Sequence, residues 1–340
     1  MKKVKIEDAI GMTLCHDVTA IRKGFKGPLF KRGHVIEEKD ISELKSIGKK
    51  SIYIWEEEAG EIHEEDASLR MASANDVLNA HYKGPSEGKM DLIADEDCML
   101  RVNVDLLRAL NGIQDVTVTS LPDHYPVKKG NKVASMRIVP LVTKEENIAE
   151  FERLCKEADE KLFALLPYKE MKAGVIITGS EVYSGLIDDL FEPVARKKLG
   201  QYPCEILGVT FCDDDVSMIV SAIKDFAARG ADLVVLSGGM SVDPDDVTPT
   251  AVRAAGADVV MHGVPAQPGN MTLVAYLDDI VMLGVPSAAI KRGTTVFDVL
   301  LPQIFAGQRF TRQELVSLGD GGACQFCETC HFPNCTFGRY

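Results

Sequence analysis

Hydrophobic positions change their spacing along the chain near residue 167, and the change predicts an α/β region after it. Short apolar runs then alternate with segments whose apolar residues recur at helical spacing. The predicted strands are 173–178, 204–211, 232–236, 258–262 and a hairpin of 272–276 with 280–283, and the predicted helices are 189–199, 216–229, 249–255 and 289–305. This alternation predicts a three-layer α/β/α domain with a mostly parallel sheet, in which ligands bind at the carboxyl ends of strands.

The pattern before residue 167 is less regular and predicts smaller modules. Short strand-like pieces surround one helix at 40–48, the acidic segment 56–61 is interpreted as an exposed linker, and β-prone runs follow it. Apolar residues at helical spacing from Glu145 to Leu166 predict an amphipathic helix. The predicted order is a small α+β module at 1–60, a β-rich module at 61–144, a connecting helix at 145–170, the α/β domain at 171–310 and a cysteine-rich tail at 311–340.

Charge and composition limit the classes of ligand and partner. The 340 residues include 38 basic and 51 acidic ones, which gives a net charge of −13. This balance argues against a general nucleic-acid surface and against binding to anionic membranes, so any anionic ligand must be held by local geometry or by a metal. No apolar run is long enough to span a bilayer, and the first residues lack the apolar core of a signal peptide. The expected location is the cytoplasm.

Four short turns carry the candidate chemistry of the α/β region. The first turn is Thr178-Gly179-Ser180-Glu181, the second is Ser237-Gly238-Gly239-Met240-Ser241, the third is Gln267-Pro268-Gly269-Asn270, and the fourth is Gly284-Val285-Pro286-Ser287. Glycines let a backbone approach a ligand closely and aim successive N–H groups at phosphate oxygens. A carboxylate beside such a cradle can hold Mg²⁺. The turns therefore predict a site for a phosphorylated ligand.

In this order the turns resemble those of the molybdenum-cofactor biosynthesis family, the MoeA, Mog and MoaB group of molybdopterin-binding domains, over about residues 171–310. The most specific part is the second turn with its continuation through Asp245 to Asp246-Val247-Thr248-Pro249. The resemblance implies molybdopterin as substrate or ligand, Mg²⁺ as cofactor, and catalytic roles for Asp246, Asp214 and Glu181. It implies that the pterin is bound by Thr178, Gly179, Ser180, Ser237, Gly238, Gly239, Met240, Ser241, Pro268, Gly269, Gly284 and Pro286.

Departures from the family pattern keep three functions open. Ser180 replaces an aspartate, Gln267 and Asn270 replace lysines, and Ser287 alters the fourth turn, so binding is better supported than catalysis. Lys291 and Arg292 are candidates to replace the lost positive charge. One function is a molybdotransferase-like enzyme. A weaker resemblance of the N-terminal segments to that branch favours a multi-domain arrangement over a single-domain adenylyltransferase. The others are a carrier or sensor without turnover, and a nucleotide-pyrophosphate hydrolase of the competence-damage type. Relatives are commonly dimers or trimers, so a homo-oligomer is expected.

The last residues predict a metal centre. Cys324, Cys327, Cys330 and Cys335 are spaced as Cys-x₂-Cys-x₂-Cys-x₄-Cys, whereas the other five cysteines are scattered. An iron–sulfur cluster fits this spacing, and zinc held by four sulfurs, or by three sulfurs and His331, fits almost as well. Free thiols or a reversible disulfide are the remaining alternative. Gly319-Asp320-Gly321-Gly322 is predicted to act as a hinge that carries the tail to a neighbouring domain or to a partner, such as a molybdoenzyme or another cofactor-biosynthesis protein.

Overall fold

The computed structural model describes residues 2–54, 59–241 and 246–338. It divides the chain into two compact units. The first unit consists of Met1–Asp95, Val102–Leu121 and Gly130–Ala164, and the second consists of Glu96–Arg101, Pro122–Lys129 and Leu165–Tyr340. Residues 56–58 of the predicted linker and residues 242–245, which continue the second turn, lie outside the described part of the chain. No helix among the described residues is long and apolar enough to cross a membrane.

The amino-terminal half is a mixture of strands and helices. In chain order its strands are β1 (Lys2–Lys5), β2 (Val18–Arg22), β3 (Phe25–Phe30), β4 (Ser51–Ile54), β5 (Glu61–His63), β6 (Ala80–Ser86), β7 (Lys89–Ala94), β8 (Cys98–Val102), β9 (Val116–Ser120), β10 (Tyr125–Val127), β11 (Lys132–Ile138), β12 (Val142–Lys144) and β13 (Phe163–Pro167). Its helices are α1 (Asp40–Ser46), α2 (Glu64–Ala74), α3 (Val104–Asn111) and α4 (Glu145–Glu157). A four-stranded sheet has the order β6-β7-β11-β9, and α2 packs against β7 and β11. The region predicted to be β-rich therefore also contains two helices.

The carboxyl-terminal half alternates strands and helices as predicted. Its strands are β14 (Met171–Thr178), β15 (Cys204–Cys212), β16 (Leu233–Ser237), β17 (Asp258–His262), β18 (Leu273–Leu277) and β19 (Ile280–Val285). Its helices are α5 (Ser180–Tyr183), α6 (Phe191–Leu199), α7 (Val216–Ala228), α8 (Thr248–Ala254), α9 (Ala288–Lys291), α10 (Val296–Phe305) and α11 (Arg312–Ser317). The six strands form one sheet in the order β15-β14-β16-β19-β18-β17. The pairs β14–β15, β14–β16 and β16–β19 are parallel, and β18 pairs antiparallel with both of its neighbours.

Two hydrophobic cores lie on opposite faces of this sheet. Val175 and Ile177 of β14 belong to one core, together with residues of α6 and α10. Ile176 belongs to the other core, together with residues of α7 and α8. Because successive side chains of a strand point to opposite faces, this division means that helices cover both sides of the sheet. The predicted α/β/α architecture is confirmed.

Two predicted helices differ from the structure. The helix expected from Glu145 to Leu166 ends at Glu157, since Phe163 and Leu165 alternate with more exposed neighbours and form β13 instead. The helix expected at 289–305 is divided into α9 and α10. Thr295 caps α10, with its hydroxyl accepting from Phe297 N–H and its own N–H bound by Asp298, so a new helix starts there.

Candidate functional site

The register of the sheet brings the four turns to one edge. Ile177 of β14 lies beside Ser237 of β16, and Ser237 lies beside Val285 of β19, so the first, second and fourth turns leave the sheet together. The third turn connects β17 to β18, and His262 at the end of β17 pairs with Leu273. Leu273 in turn pairs with Gly284 at the start of the fourth turn. The structure therefore gathers the four turns at the carboxyl edge of the parallel strands, where ligands of such sheets bind.

Close packing against two buried threonines shapes the second turn. The Thr248 hydroxyl donates to the Gly238 carbonyl at 2.9 Å and lies 3.1 Å from the Thr178 hydroxyl. Gly238 has φ +98°, and a Cβ there would lie 2.1 Å from the Thr178 carbonyl oxygen. Gly239 has φ +56°, and its Cβ would lie 2.8 Å from the Thr248 hydroxyl. Both glycines are therefore required by the turn itself, and successive residues with such backbone angles can direct N–H groups at an anion.

Replacing Thr248 by valine tests whether the threonines hold the second turn. The variant removes the donor to Gly238 and leaves the buried Thr178 hydroxyl without this partner. We expect the free energy of unfolding, measured by chemical denaturation, to fall by about 1–3 kcal/mol. Thr248→Ser, which keeps the hydroxyl, is the matched control, and equal losses in the two variants would show that the methyl group rather than the hydrogen bonds matters.

Ser180 in the first turn is bound to an acidic pair. Its backbone N–H donates to Asp214 Oδ2 at 2.9 Å, and its single hydroxyl proton is shared between Asp213 Oδ1 at 2.5 Å and Asp214 Oδ2 at 3.1 Å. Ser180 was predicted to bind pterin and Asp214 to act in catalysis, and the structure joins the two residues directly. Glu181 is exposed. In this arrangement the Ser180 N–H is already hydrogen-bonded to the Asp214 carboxylate.

The predicted acidic residues do not form a preassembled cluster. Across residues 2–54, 59–241 and 246–338, no group of three or more His, Cys, Asp or Glu side chains is placed to hold a metal ion. Asp246 is partly buried just after the undescribed segment 242–245. Asp213 and Asp214, which share the Ser180 hydroxyl, are adjacent carboxylates at this edge. Mg²⁺ typically binds one or two carboxylates together with ligand phosphates, so this pair fits such an ion only when a phosphorylated ligand contributes.

Some predicted pterin contacts have packing roles. Met240 is 4% exposed in a hydrophobic core, and its carbonyl lies 3.1 Å from His262 Nε2. A Cβ on Gly284 would lie 2.4 Å from Met240 Cε. The glycine of the fourth turn is therefore needed to accommodate Met240. Sequence reasoning missed Thr248 and His262 as supports of the second turn, although Thr248 stands within the motif that led to the resemblance.

The third turn is covered by the start of the tail. Gln267 N–H donates to the Gly322 carbonyl at 2.7 Å, and Cys324 N–H donates to the Gln267 carbonyl at 2.9 Å. A Cβ on Gly322 would lie 2.7 Å from the Pro265 carbonyl oxygen, so the two backbones touch there. Gly269, with φ +107°, packs against the start of α10, where its Cβ would lie 3.0 Å from Val296 N. The glycine-rich segment predicted to be a hinge is instead a place of close packing within this unit.

The four tail cysteines line one cavity of about 600 Å³. All four are free thiols, and Cys327, Cys330 and Cys335 are exposed. Lys291 and Arg292 line this same cavity, together with Pro268 of the third turn. These two cations were proposed to replace the charge missing beside the pterin, and the structure places them at the tail. The four predicted metal ligands thus share a cavity. In the described part of the chain, however, no three of them are close enough together to hold a metal ion.

Comparisons with known proteins match part of the second unit. Residues 174–305 match the family described as a probable molybdopterin binding domain, and residues 3–56 match a domain of unknown function. Residues 174–305 therefore belong to the molybdopterin-binding domain family.

The individual proteins that match this chain are only distantly similar to it in sequence. A CinA-like protein of Mycobacterium sp. is 34% identical over 91 residues, which are 26% of this chain and 22% of that protein. A CinA-like protein of Mycolicibacterium gilvum is 33% identical over 113 residues, 32% of this chain and 27% of that protein. The matched segments thus span about a quarter of the length of these relatives. Among solved structures, that of the molybdopterin biosynthesis enzyme MoaB from Thermus thermophilus aligns with 42% of this chain and 99% of its own chain. The sequence identity is 17% and the TM-score is 0.33.

Proposed function

We propose that residues 174–305 bind molybdopterin at the carboxyl edge of the sheet, with the pterin phosphate on the second turn, and that the protein acts in molybdenum-cofactor biosynthesis. The observation that carries the proposal is the pair Gly238 and Gly239, both with positive φ and both packed against Thr178 and Thr248. A rigid turn of this kind presents oriented backbone dipoles without a charged side chain. This suits a chain of net charge −13, in which the lysines expected at the third turn are absent.

The phosphate selectivity of this site is the direct test. We expect metal-free molybdopterin, titrated anaerobically, to bind about 100-fold more tightly than the same pterin after phosphatase treatment, since two charge-assisted hydrogen bonds of about 1.5 kcal/mol each would be lost. Isothermal titration calorimetry measures both affinities. Equal affinities would contradict a phosphate site at the second turn.

We further propose that the catalytic form of this function is molybdotransferase-like and uses the acidic pair at the first turn. Asp213 and Asp214, with Glu181 of the first turn and Asp246 after the second turn, would hold Mg²⁺ against the ligand phosphate, where the ion would supply Lewis-acid charge neutralisation. Ser180 fixes the orientation of Asp214 through two hydrogen bonds. The carrier function uses the same binding turns without this step. Hydrolysis of a nucleotide pyrophosphate is the second candidate, because the relatives named CinA-like match part of this chain.

Turnover of adenylylated molybdopterin separates these functions. With molybdate and Mg²⁺ we expect release of AMP by the wild-type protein, and a fall of at least about 100-fold in Asp214→Asn, because one orienting carboxylate of the site is lost. Asp215→Asn is the matched control, since Asp215 caps α7 and asparagine is an equally good cap.

The possible outcomes assign the function. Tight binding without AMP release would select the carrier function, and turnover unchanged in Asp214→Asn would exclude Asp214 from catalysis. Faster cleavage of ADP-ribose than of the pterin substrate would select the pyrophosphatase.

A further inference from the structure

We propose that Cys324, Cys327, Cys330 and Cys335 ligate one metal centre within the cavity that they share with α9, and that this centre fastens the tail to the third turn. The cavity of about 600 Å³ is lined by the four thiols, by His331 and by the loop between α9 and α10. No disulfide joins these cysteines, so each sulfur is free to become a ligand. The proposal does not rest on the proposed phosphate site, since none of these cysteines belongs to the second turn.

Both walls of the cavity are anchored near the sulfur atoms. On one side, the backbone hydrogen bonds between Gln267 and the Gly322 and Cys324 peptides fix the first cysteine beside the third turn. On the other side, the Thr294 hydroxyl lies 3.1 Å from Cys330 Sγ. Lys198 holds the carbonyl of the adjacent Gly293 at 2.9 Å. In metal sites, contacts from neighbouring polar groups orient the ligating atoms. The Thr294 hydroxyl is placed to do this for Cys330.

The charges around the cavity suit ligated thiolates. Each cysteine thiol releases its proton to solvent on ligation, so four thiolates leave an excess of negative charge on either zinc or an iron–sulfur core. Lys291 and Arg292 line the same cavity and offset that charge. Arg292 is held there by Phe326, with its guanidinium carbon 4.6 Å from the ring centre.

The open spacing of the thiols indicates that ligation closes the tail. Zinc with four sulfurs needs Zn–S distances of about 2.3 Å, which brings all four sulfurs onto one ion, whereas an iron–sulfur cluster spreads its cysteines over several iron atoms. In the described chain no three of these side chains meet at one point. Binding of either metal therefore draws the four sulfurs together between the walls that Gln267 and Thr294 anchor.

Anaerobic reconstitution of the full chain tests the site, with Zn²⁺ alone in one arm and with Fe³⁺, sulfide and dithiothreitol in the other, where the thiol reduces part of the iron. We expect about one centre per chain to remain after desalting in the arm whose metal fits. Metal and sulfide analysis with visible absorption distinguishes the two arms. Hydrogen exchange should slow in peptides that contain Gln267 and Cys324, because the centre stabilises their mutual hydrogen bond.

Variants separate ligation from chance binding of metal to thiols. Cys330→Ser should lower the retained metal by at least about tenfold, because one ligand is lost. Thr294→Val should weaken the metal affinity by about tenfold, because its contact with Cys330 is lost. Cys155→Ser, in the first unit, should retain the wild-type amount and serves as the thiol control. Retention well below one centre per chain in both arms, or retention unchanged in Cys330→Ser, overturns the proposal. Thermal unfolding curves identify any variant that has lost its fold.

Discussion

Gly238→Ala should abolish tight pterin binding and destabilise the second unit. A Cβ at residue 238 would lie 2.1 Å from the Thr178 carbonyl oxygen and 2.6 Å from its hydroxyl, both far inside contact distance. The backbone also has φ +98°, which an alanine adopts only with strain. We expect a loss of about 2–4 kcal/mol in the free energy of unfolding, the sum of backbone strain and overpacking. Affinity for molybdopterin should fall at least about 100-fold, because the displaced turn no longer directs two N–H groups at the phosphate.

Gly256→Ala is the matched control for this variant. Gly256 has the same φ of +98°, but the nearest atom to its Cβ would be Leu277 Cδ1 at 3.8 Å. It should therefore show the strain alone, about 1–2 kcal/mol, with unchanged pterin affinity. Chemical denaturation and calorimetric titration measure the two quantities. Equal stability losses in the two variants, or wild-type affinity in Gly238→Ala, would show that the close approach to Thr178 does not form the site.

Lys198→Met should destabilise the second unit by about 3–5 kcal/mol, as expected when one partner of a buried ion pair is removed. The Lys198 ammonium group donates to the Asp298 carboxylate and to the Gly293 carbonyl, and the side chains of Lys198 and Asp298 are only 8% and 13% exposed. Asp298 also accepts from Thr295 N–H at 2.8 Å at the start of α10. Removing the lysine leaves a buried carboxylate and carbonyl without their charged donor. The cost is measured by chemical denaturation.

Arg196→Met on the same helix is the control for this ion pair. Arg196 bonds Glu192 one turn away, and its side chain is 51% exposed. An exposed pair of this spacing contributes about 0.3–0.5 kcal/mol, so the control should be nearly neutral. A loss for Lys198→Met as small as that of Arg196→Met would mean that the buried pair does not hold the loop before α10.

The sequence predicts the sheet better than it predicts the interior of the site. The alternation of apolar runs identifies β14, β16 and β19 because buried parallel strands are nearly continuous in hydrophobic residues. It also places the four turns at strand ends, from which their convergence follows. The sequence also contains a signal that the last predicted helix is divided, because Thr295 and Asp298 have the spacing of a capping box.

Contacts between segments that are far apart along the chain cannot be predicted from the sequence pattern. Ser180 meets Asp214 because β14 and β15 lie side by side, which spacing along the chain does not express. The family resemblance assigns Gly284 to pterin binding, and nothing in its own turn indicates that Met240 packs over it. The glycines at 319–322 predict a hinge, but glycine permits close packing as well as conformational freedom. The contact of Gly322 with the Pro265 backbone shows that this segment is closely packed, and the sequence does not reveal that contact.

A structure of the protein bound to metal-free molybdopterin tests the central claim most directly. The claim is that the phosphate of the pterin binds the second turn at the carboxyl edge of the sheet. We predict a phosphate oxygen within about 3 Å of a backbone N–H in residues 238–241, with Thr178 and Thr248 in the positions described here. A phosphate bound instead beside Lys291 and Arg292 in the tail cavity, or at any site away from the second turn, would contradict the account.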